Sequence, residues 1–328
     1  MRRRDFSTLL GGAATASAVW LSPLSAQKPT PVIGYIGLGT PLGGTVGVDA
    51  LRQGLSVTGY VEEQNLTIEY RWAEGRLDRL PSLAAELVGR KVEVIVVGGD
   101  PAAHAAKNAT STIPIVFIAG DDAVSQGLVT SLARPGGNLT GVSFLAAELH
   151  AKRFELLSKL VPQAKVMALL VNKTSSTTER LIRAVQDAAR PTGVEFNILK
   201  ASTESEIDAA FATLVQRPAD ALIVFSDPYF NSRREQLVAL AARHAVPAIY
   251  DFRQFVALGG LISYGPSLTA IYRQVGIYTG KILKGARPTD LPVMQPTTFE
   301  LVINLKTARA LGLAIPPSIV ASADEVIE

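Results

Sequence analysis

From Val32 onward, short β-branched apolar runs alternate with stretches whose apolar residues recur at helical spacing. VIGYIG, LTIEYR, VEVIVVGGDP and IPIVFIAGD are each separated by a helical pattern, and the series then begins again with VMALLV, VEFNILK, ADALIVFSDP and VPAIYD. Val32 corresponds to Val166, Asp100 to Asp227 and Asp121 to Asp251. Runs of this length bounded by turn residues read as strands, and strands alternating with helices read as βαβ units of a parallel sheet covered on both faces. The helices follow from periodicity. Ile207, Ala210, Phe211 and Leu214 fall on one face, as do Leu77, Leu80, Leu83, Ala84 and Leu87. Thr203 and Glu206 stand at capping-box spacing before the first of these stripes. The expected fold is α/β, with two similar doubly wound parallel-sheet lobes and a cleft between them, the kind of groove where small molecules bind.

Past Asp251 the repeat breaks. GGLISYG reads as a strand, Leu268 to Lys284 as a helix, the segment holding Pro292 and Pro296 as an extended connector, and FELVINL as one more strand. With no counterpart in the repeat, these elements are expected to carry the chain back between the lobes through several adjacent hinge crossovers. The expected boundaries are residues 31–141 with about 265–294 for the first lobe, and 142–264 with about 297–328 for the second. Arg134-Pro135-Gly136-Gly137-Asn138 supplies the turn chemistry at the first boundary.

The first 26 residues read as an export signal peptide. Arg2, Arg3 and Arg4 precede Asp5 and Phe6, Leu9 to Leu21 is mildly apolar, and Leu24-Ser25-Ala26 offers small residues for cleavage before Gln27. The paired arginines resemble a twin-arginine signal, although Ser7 stands where Leu is usual. The apolar stretch is short of the ~20 residues that a membrane helix needs. Without the leader the formal charge falls from +3 to about +1, and no basic stripe with interleaved aromatics remains, which argues against nucleic acid. The chain has no cysteine, which excludes disulfides, thiol catalysis, thiolate metal sites and a lipid-modified N-terminal Cys. The expected location is the periplasm, as a soluble monomer without a lipid anchor.

Candidate chemistry follows from the rule that ligands of open parallel sheets sit beyond the carboxyl ends of the strands. Those ends hold Gly39 and Thr40, Asp100 and Pro101, and Gly120 and Asp121 in the first half. The second half offers Asn172, Asp227 with Tyr229 and Phe230, and Asp251, followed by Tyr264 on the crossing segment. Asp100-Pro101 and Asp227-Pro228 are also sound helix starts, with Asp expected as the N-cap and Pro in the first turn. Asp251 has no such duty and is assigned to an amine of the ligand. Tyr229, Phe230, Tyr250, Phe252 and Tyr264 would stack on an apolar or aromatic body. The glycine run Gly37 to Gly44 departs from a dinucleotide fingerprint: its third glycine falls late, Pro41 interrupts it, and Tyr70-Arg71-Trp72 ends the second strand where an acid is usual. It is expected to let the backbone approach the solute. His104, His150 and His244 have no metal spacing, and neither a G-x-S-x-G elbow nor a Walker loop exists. No cofactor, metal or catalytic residue is expected.

Gly99-Asp100-Pro101-Ala102-Ala103, IPIVF from Ile113, GLVTSLARPGGNLTG from Gly127 and ELVINLKTARAL from Glu300 resemble one family. It is the ABC-transporter substrate-binding family that includes the tryptophan- and tyrosine-binding lipoproteins, a branch of the type I periplasmic binding proteins. The resemblance spans nearly all of the chain after the leader. It implies a three-crossover fold that closes on a small solute, such as an amino acid or a related aromatic compound, and delivers it to a membrane permease with its ATPase. Members anchored by lipid carry an N-terminal Cys, and this chain departs from them there. A ligand-sensing role at a membrane receptor, on the same fold, stays open at this point.

Overall fold

The structure, a computed structural model, describes residues 29–41, 44–144, 146–175 and 177–328. The export signal expected in residues 1–26 lies outside the described residues. The first half forms β1 (Val32–Gly37), α1 (Thr45–Val57), β2 (Thr67–Trp72), α2 (Leu80–Gly89), β3 (Val94–Gly98), α3 (Asp100–Ala109), β4 (Ile115–Ala119) and β5 (Leu139–Ser143). The second half forms α4 (Ala146–Leu160), β6 (Val166–Asn172), α5 (Thr178–Ala189), β7 (Glu195–Ala201), α6 (Glu204–Gln216), β8 (Ala221–Val224), α7 (Pro228–Ser232), α8 (Arg234–Arg243), β9 (Ala248–Tyr250), α9 (Arg253–Ala257) and β10 (Ile262–Pro266). The chain ends with α10 (Leu268–Leu283), β11 (Phe299–Asn304), α11 (Leu305–Ala310), α12 (Pro317–Ser322) and β12 (Glu325–Ile327).

Two doubly wound sheets result. The first has the order β2-β1-β3-β4-β5, all parallel, and the second β12-β11-β10-β9-β8-β6-β7. Counted from β6, the second repeats the first strand for strand through β10. That corrects one expectation: GGLISYG is not surplus, because β10 is the counterpart of β5. β11 then adds antiparallel to β10, and β12 parallel to β11. In the first sheet Ile33, Tyr35, Val94 and Val96 pack toward α1 and α10, whereas Ile36, Ile95 and Val97 pack toward α2 and α3. Strands apolar on both faces require cover on both faces, and the repeat supplies it.

The chain passes between the sheets three times: from β5 to α4, from β10 to α10, and from the Pro-rich connector to β11. The second passage sends α10 back to α1. There the helices meet at Gly54 and Gly276, where a Cβ would come within 2.0 Å of the Arg273 carbonyl and 2.2 Å of the Leu51 carbonyl, respectively. On the third passage Met294 pairs with Val142 at the edge of the first sheet. The capping signal at Thr203 is half realised. Thr203 Oγ1 accepts from the Glu206 amide at 3.3 Å, but the Glu206 carboxylate takes the Ser202 amide, at 2.8 Å, instead of Thr203's own. Among the described residues no helix is long and apolar enough to cross a membrane.

Candidate functional site

The carboxyl ends of β1, β3 and β4 face those of β6, β8 and β9 across a cavity of about 130 Å³. Its walls include Gly39, Asp100, Pro101, Gly120, Asp121, Asn172, Asp227, Tyr229 and Asp251 from the sequence-predicted set. Thr40, Phe230 and Tyr264 do not line it. Phe230, within α7, is buried in the core, and Tyr264 packs on Phe299 with ring centroids 6.0 Å apart. Tyr250, also among the expected stacking rings, is stacked on Phe255 at 4.6 Å and stays in the core.

The carboxylates differ in their commitments. Asp227 is the N-cap of α7, as expected. Its Oδ1 accepts from the amides of Tyr229 (2.8 Å) and Phe230 (3.3 Å) and from Asn172 Nδ2 (3.1 Å). Burial raises its pKa, and these donors oppose the rise. Asp100 is not a cap. Gly99 takes that position with φ +100°, a backbone that favours glycine, and Asp100 becomes the first residue of the helix. Its Oδ1 is buried without a partner, and burial pushes its pKa up to about 6 against the lowering effect of the Gly120 amide. Asp121 pairs with Arg180 of α5 and receives Gln126 Nε2 at 3.3 Å.

Asp251 is buried, and its pKa rises to about 6 through desolvation, held back by the Arg153 guanidinium and the Ser226 hydroxyl. Arg153 is itself 0% exposed, which keeps its pKa down at about 10. Its Nε donates to the Tyr264 carbonyl at 2.7 Å and its Nη1 to Ser226 Oγ at 3.0 Å. His150 lies beside it, with Nδ1 3.2 Å from Arg153 Nη1 and Nε2 accepting from the Ser226 amide at 3.3 Å. Burial, then Arg153, hold this histidine well below its ordinary pKa, so the ring is neutral. A Cβ on Gly265 would lie 2.0 Å from the Asp251 carbonyl, so glycine is required there for the strand to pass. Arg153 thus joins the ends of β8, β9 and β10 behind the cavity wall.

The aromatic wall comes mainly from the first lobe, where it was not expected. Tyr35 and Trp72 lie 5.2 Å apart, Trp72 stacks on Tyr70 at 6.5 Å and 8°, and the Tyr35 and Tyr272 hydroxyls are 3.4 Å apart. Phe144, Tyr229 and Phe252 complete it, Phe144 meeting Phe252 edge-on at 6.2 Å. The glycine run serves this wall more than the ligand. A Cβ on Gly37 or Gly44 would fall 2.3 or 2.2 Å from the Trp72 ring, and one on Gly39 would fall 2.6 Å from Ser232 Cβ of the opposite lobe.

These contacts describe closed lobes. Phe144 on Phe252, Asp121 on Arg180, Gly39 against Ser232 and Gly75 against Tyr229 all join residues from opposite sides of the cavity. Two doubly wound lobes, three crossings and a ligand-sized cavity at facing strand ends define a two-lobed solute-binding protein. Residues 45–327 match the family described as ABC transporter substrate binding protein, and the chain belongs to that family. It is 30% identical over 262 residues to a tyrosine-binding protein of Clostridioides difficile, covering 78% of this chain and 73% of that one. An ABC domain in complex with L-Trp from Streptococcus pneumonia superposes with TM-score 0.81 at 26% identity, covering 91% of this chain and all of that one. The ligand-free, open structure of a substrate-binding protein with adhesive properties from Clostridium difficile gives 0.63 at 25% identity, covering 91% and 99%. At nearly equal identity, the ligand-bound relative is the better match, which agrees with the closed lobes.

Proposed function

We propose that this protein is the exported solute-binding component of an ABC importer. It closes around a small solute that carries an amine and an aromatic or apolar body, and hands it to the membrane permease and its ATPase without making or breaking a bond. The amino acids and aromatic compounds related to them are the class in view, in keeping with the tyrosine-binding relative and the L-Trp complex. The moving bodies are residues 31–144 with about 267–294, and 146–266 with about 297–328, slightly past the expected limits of 141 and 264, so that β5 stays with the first sheet and β10 with the second. Residues 1–26 direct export to the periplasm, and the protein works as a monomer.

The observation that carries this reading is the cavity itself. Carboxylates from both lobes, Asp100 on one side and Asp227 and Asp251 on the other, face a space walled by Tyr35, Trp72, Phe144 and Tyr229. A ligand that bridges them stabilises the closed state by its differential affinity for it. A thermal-shift screen against amino acids, aromatic amines, aromatic carboxylates, sugars and nucleosides tests the proposal. A saturable rise in Tm with one class, and recovery of that compound unchanged, is the expected result. No shift with any class, or recovery of an altered compound, would overturn it.

A further inference from the structure

The charge on the cavity wall is one-sided. Asp100, Asp121, Asp227 and Asp251 line it, and among the described residues no Lys, Arg or His side chain does. Two of the guanidinium groups around the wall face its carboxylates. Arg180 pairs with Asp121, and Arg153 stands behind Asp251 with its Nε and Nη1 on Tyr264 and Ser226 and its Nη2 without a partner. Asp100 and Asp227 repel one another across the closed cleft and form no ion pair among the described residues, although Arg180 offsets part of the charge of Asp100.

Hydrogen bonding has the same bias. The buried atoms of the wall that lack a partner are acceptors, Asp100 Oδ1 and Asn231 Oδ1. Several donors that a carboxylate ligand would want are already used: the first amides of α7 go to Asp227, and of the Ser175 and Thr177 hydroxyls, 3.0 Å apart, one donates to the other. An acceptor left unmatched in a closed site is costly, so the ligand must bring the donors.

Resting on the reading of this cavity as the solute site, we infer that the cargo carries net positive charge: an arylalkyl amine or similar organic cation without a free carboxylate. An ammonium supplies three donors and the missing charge together. A zwitterion supplies the same ammonium but places its carboxylate in a wall already rich in carboxylates.

Matched compounds decide between them. Calorimetric titration of the protein at pH 7.5 compares tryptamine with L-tryptophan, tyramine with L-tyrosine, and includes indole-3-propionate, which lacks the amine. Each amine is expected to bind at least tenfold more tightly than its amino acid, and the propionate not at all. In Asp100→Asn and Asp227→Asn, each checked by thermal melting, the preference for the amine is expected to shrink at least threefold. Equal or tighter binding of the zwitterions, or a preference unchanged in both variants, overturns the charge inference and leaves solute binding standing. Absence of saturable binding by every compound that carries an amine overturns both.

Discussion

Acidification should release the ligand, and the structure sets where. Asp100 and Asp251 both have pKa values raised to about 6 by burial, so each is protonated below that pH and charged above it. An ammonium prefers the charged form, hence binding expels protons and affinity rises with pH until both acids are ionised. At pH 5 each is about one-tenth ionised and at pH 7 about nine-tenths, from one pH unit either side of the pKa. The affinity for an amine that stays protonated over this range, such as tryptamine, should therefore fall roughly tenfold over that interval if one acid matters, and approach roughly a hundredfold if both do. Calorimetry in two buffers of different ionisation enthalpy reads the protons directly. Close to two should be released per ligand at pH 5, declining toward zero at pH 8. Asp100→Asn should halve the slope of log Kd against pH and remove one of the two protons. A Kd that stays flat from pH 5 to 8, or tightens on acidification, would refute the placement of these carboxylates against the ligand's charge.

Other consequences are quicker to check. Trp72 sits in the cavity wall, and the chain's other tryptophan is Trp20, so a Trp20→Phe background should show ligand-dependent quenching. Gly44→Ala in that background should displace the ring at a cost of about 1–3 kcal/mol, read by urea unfolding, and alter the quenching. Arg180→Ala should leave the on-rate nearly unchanged and raise the off-rate about fivefold by stopped flow, since a pair with one half-exposed partner contributes about 1 kcal/mol. Arg153→Met removes the counter-cation of Asp251 and the donor to the Tyr264 carbonyl, and should cost about 3–5 kcal/mol of stability. A loss below 1 kcal/mol would show that the buried guanidinium is dispensable.

The repeat was legible because alternation of short β-branched runs with helical stripes is a local signal, and the strand-end rule converted it into a site. Asp227 shows that success: a cap and a cavity wall are written into Asp-Pro at a strand end. Asp100-Pro101 carries the same dipeptide with a different outcome, because Gly99 at φ +100° shifts the cap by one residue and frees the carboxylate. Trp72 was noted only as standing where a dinucleotide site has an acid, and Tyr35 and Tyr272 carry no signal within their own strand or helix. Only the three-dimensional packing of β1, β2 and α10 turns them toward one space. Arg153 was hidden for a related reason: within α4 it looks like any charged residue of a solvated face, and nothing local signals a guanidinium buried to 0% exposure. The mate of Asp121, Arg180, lies on the opposite lobe, and an ion pair across a closure has no signature in either segment.

The return of α10 to α1 gives the newly made chain a timetable. The strands of the first sheet are complete once Ser143 has been synthesised, but the face of α1 that α10 covers must wait until Leu283. At about 5–20 residues per second those 140 residues take roughly 7–28 s. Through that interval the first lobe offers an uncovered apolar flank, with Leu51 and Leu55 at its centre, to whatever receives the nascent chain. A helix made after ten strands thus completes the first-made lobe, and the second lobe waits in turn for β11 and β12.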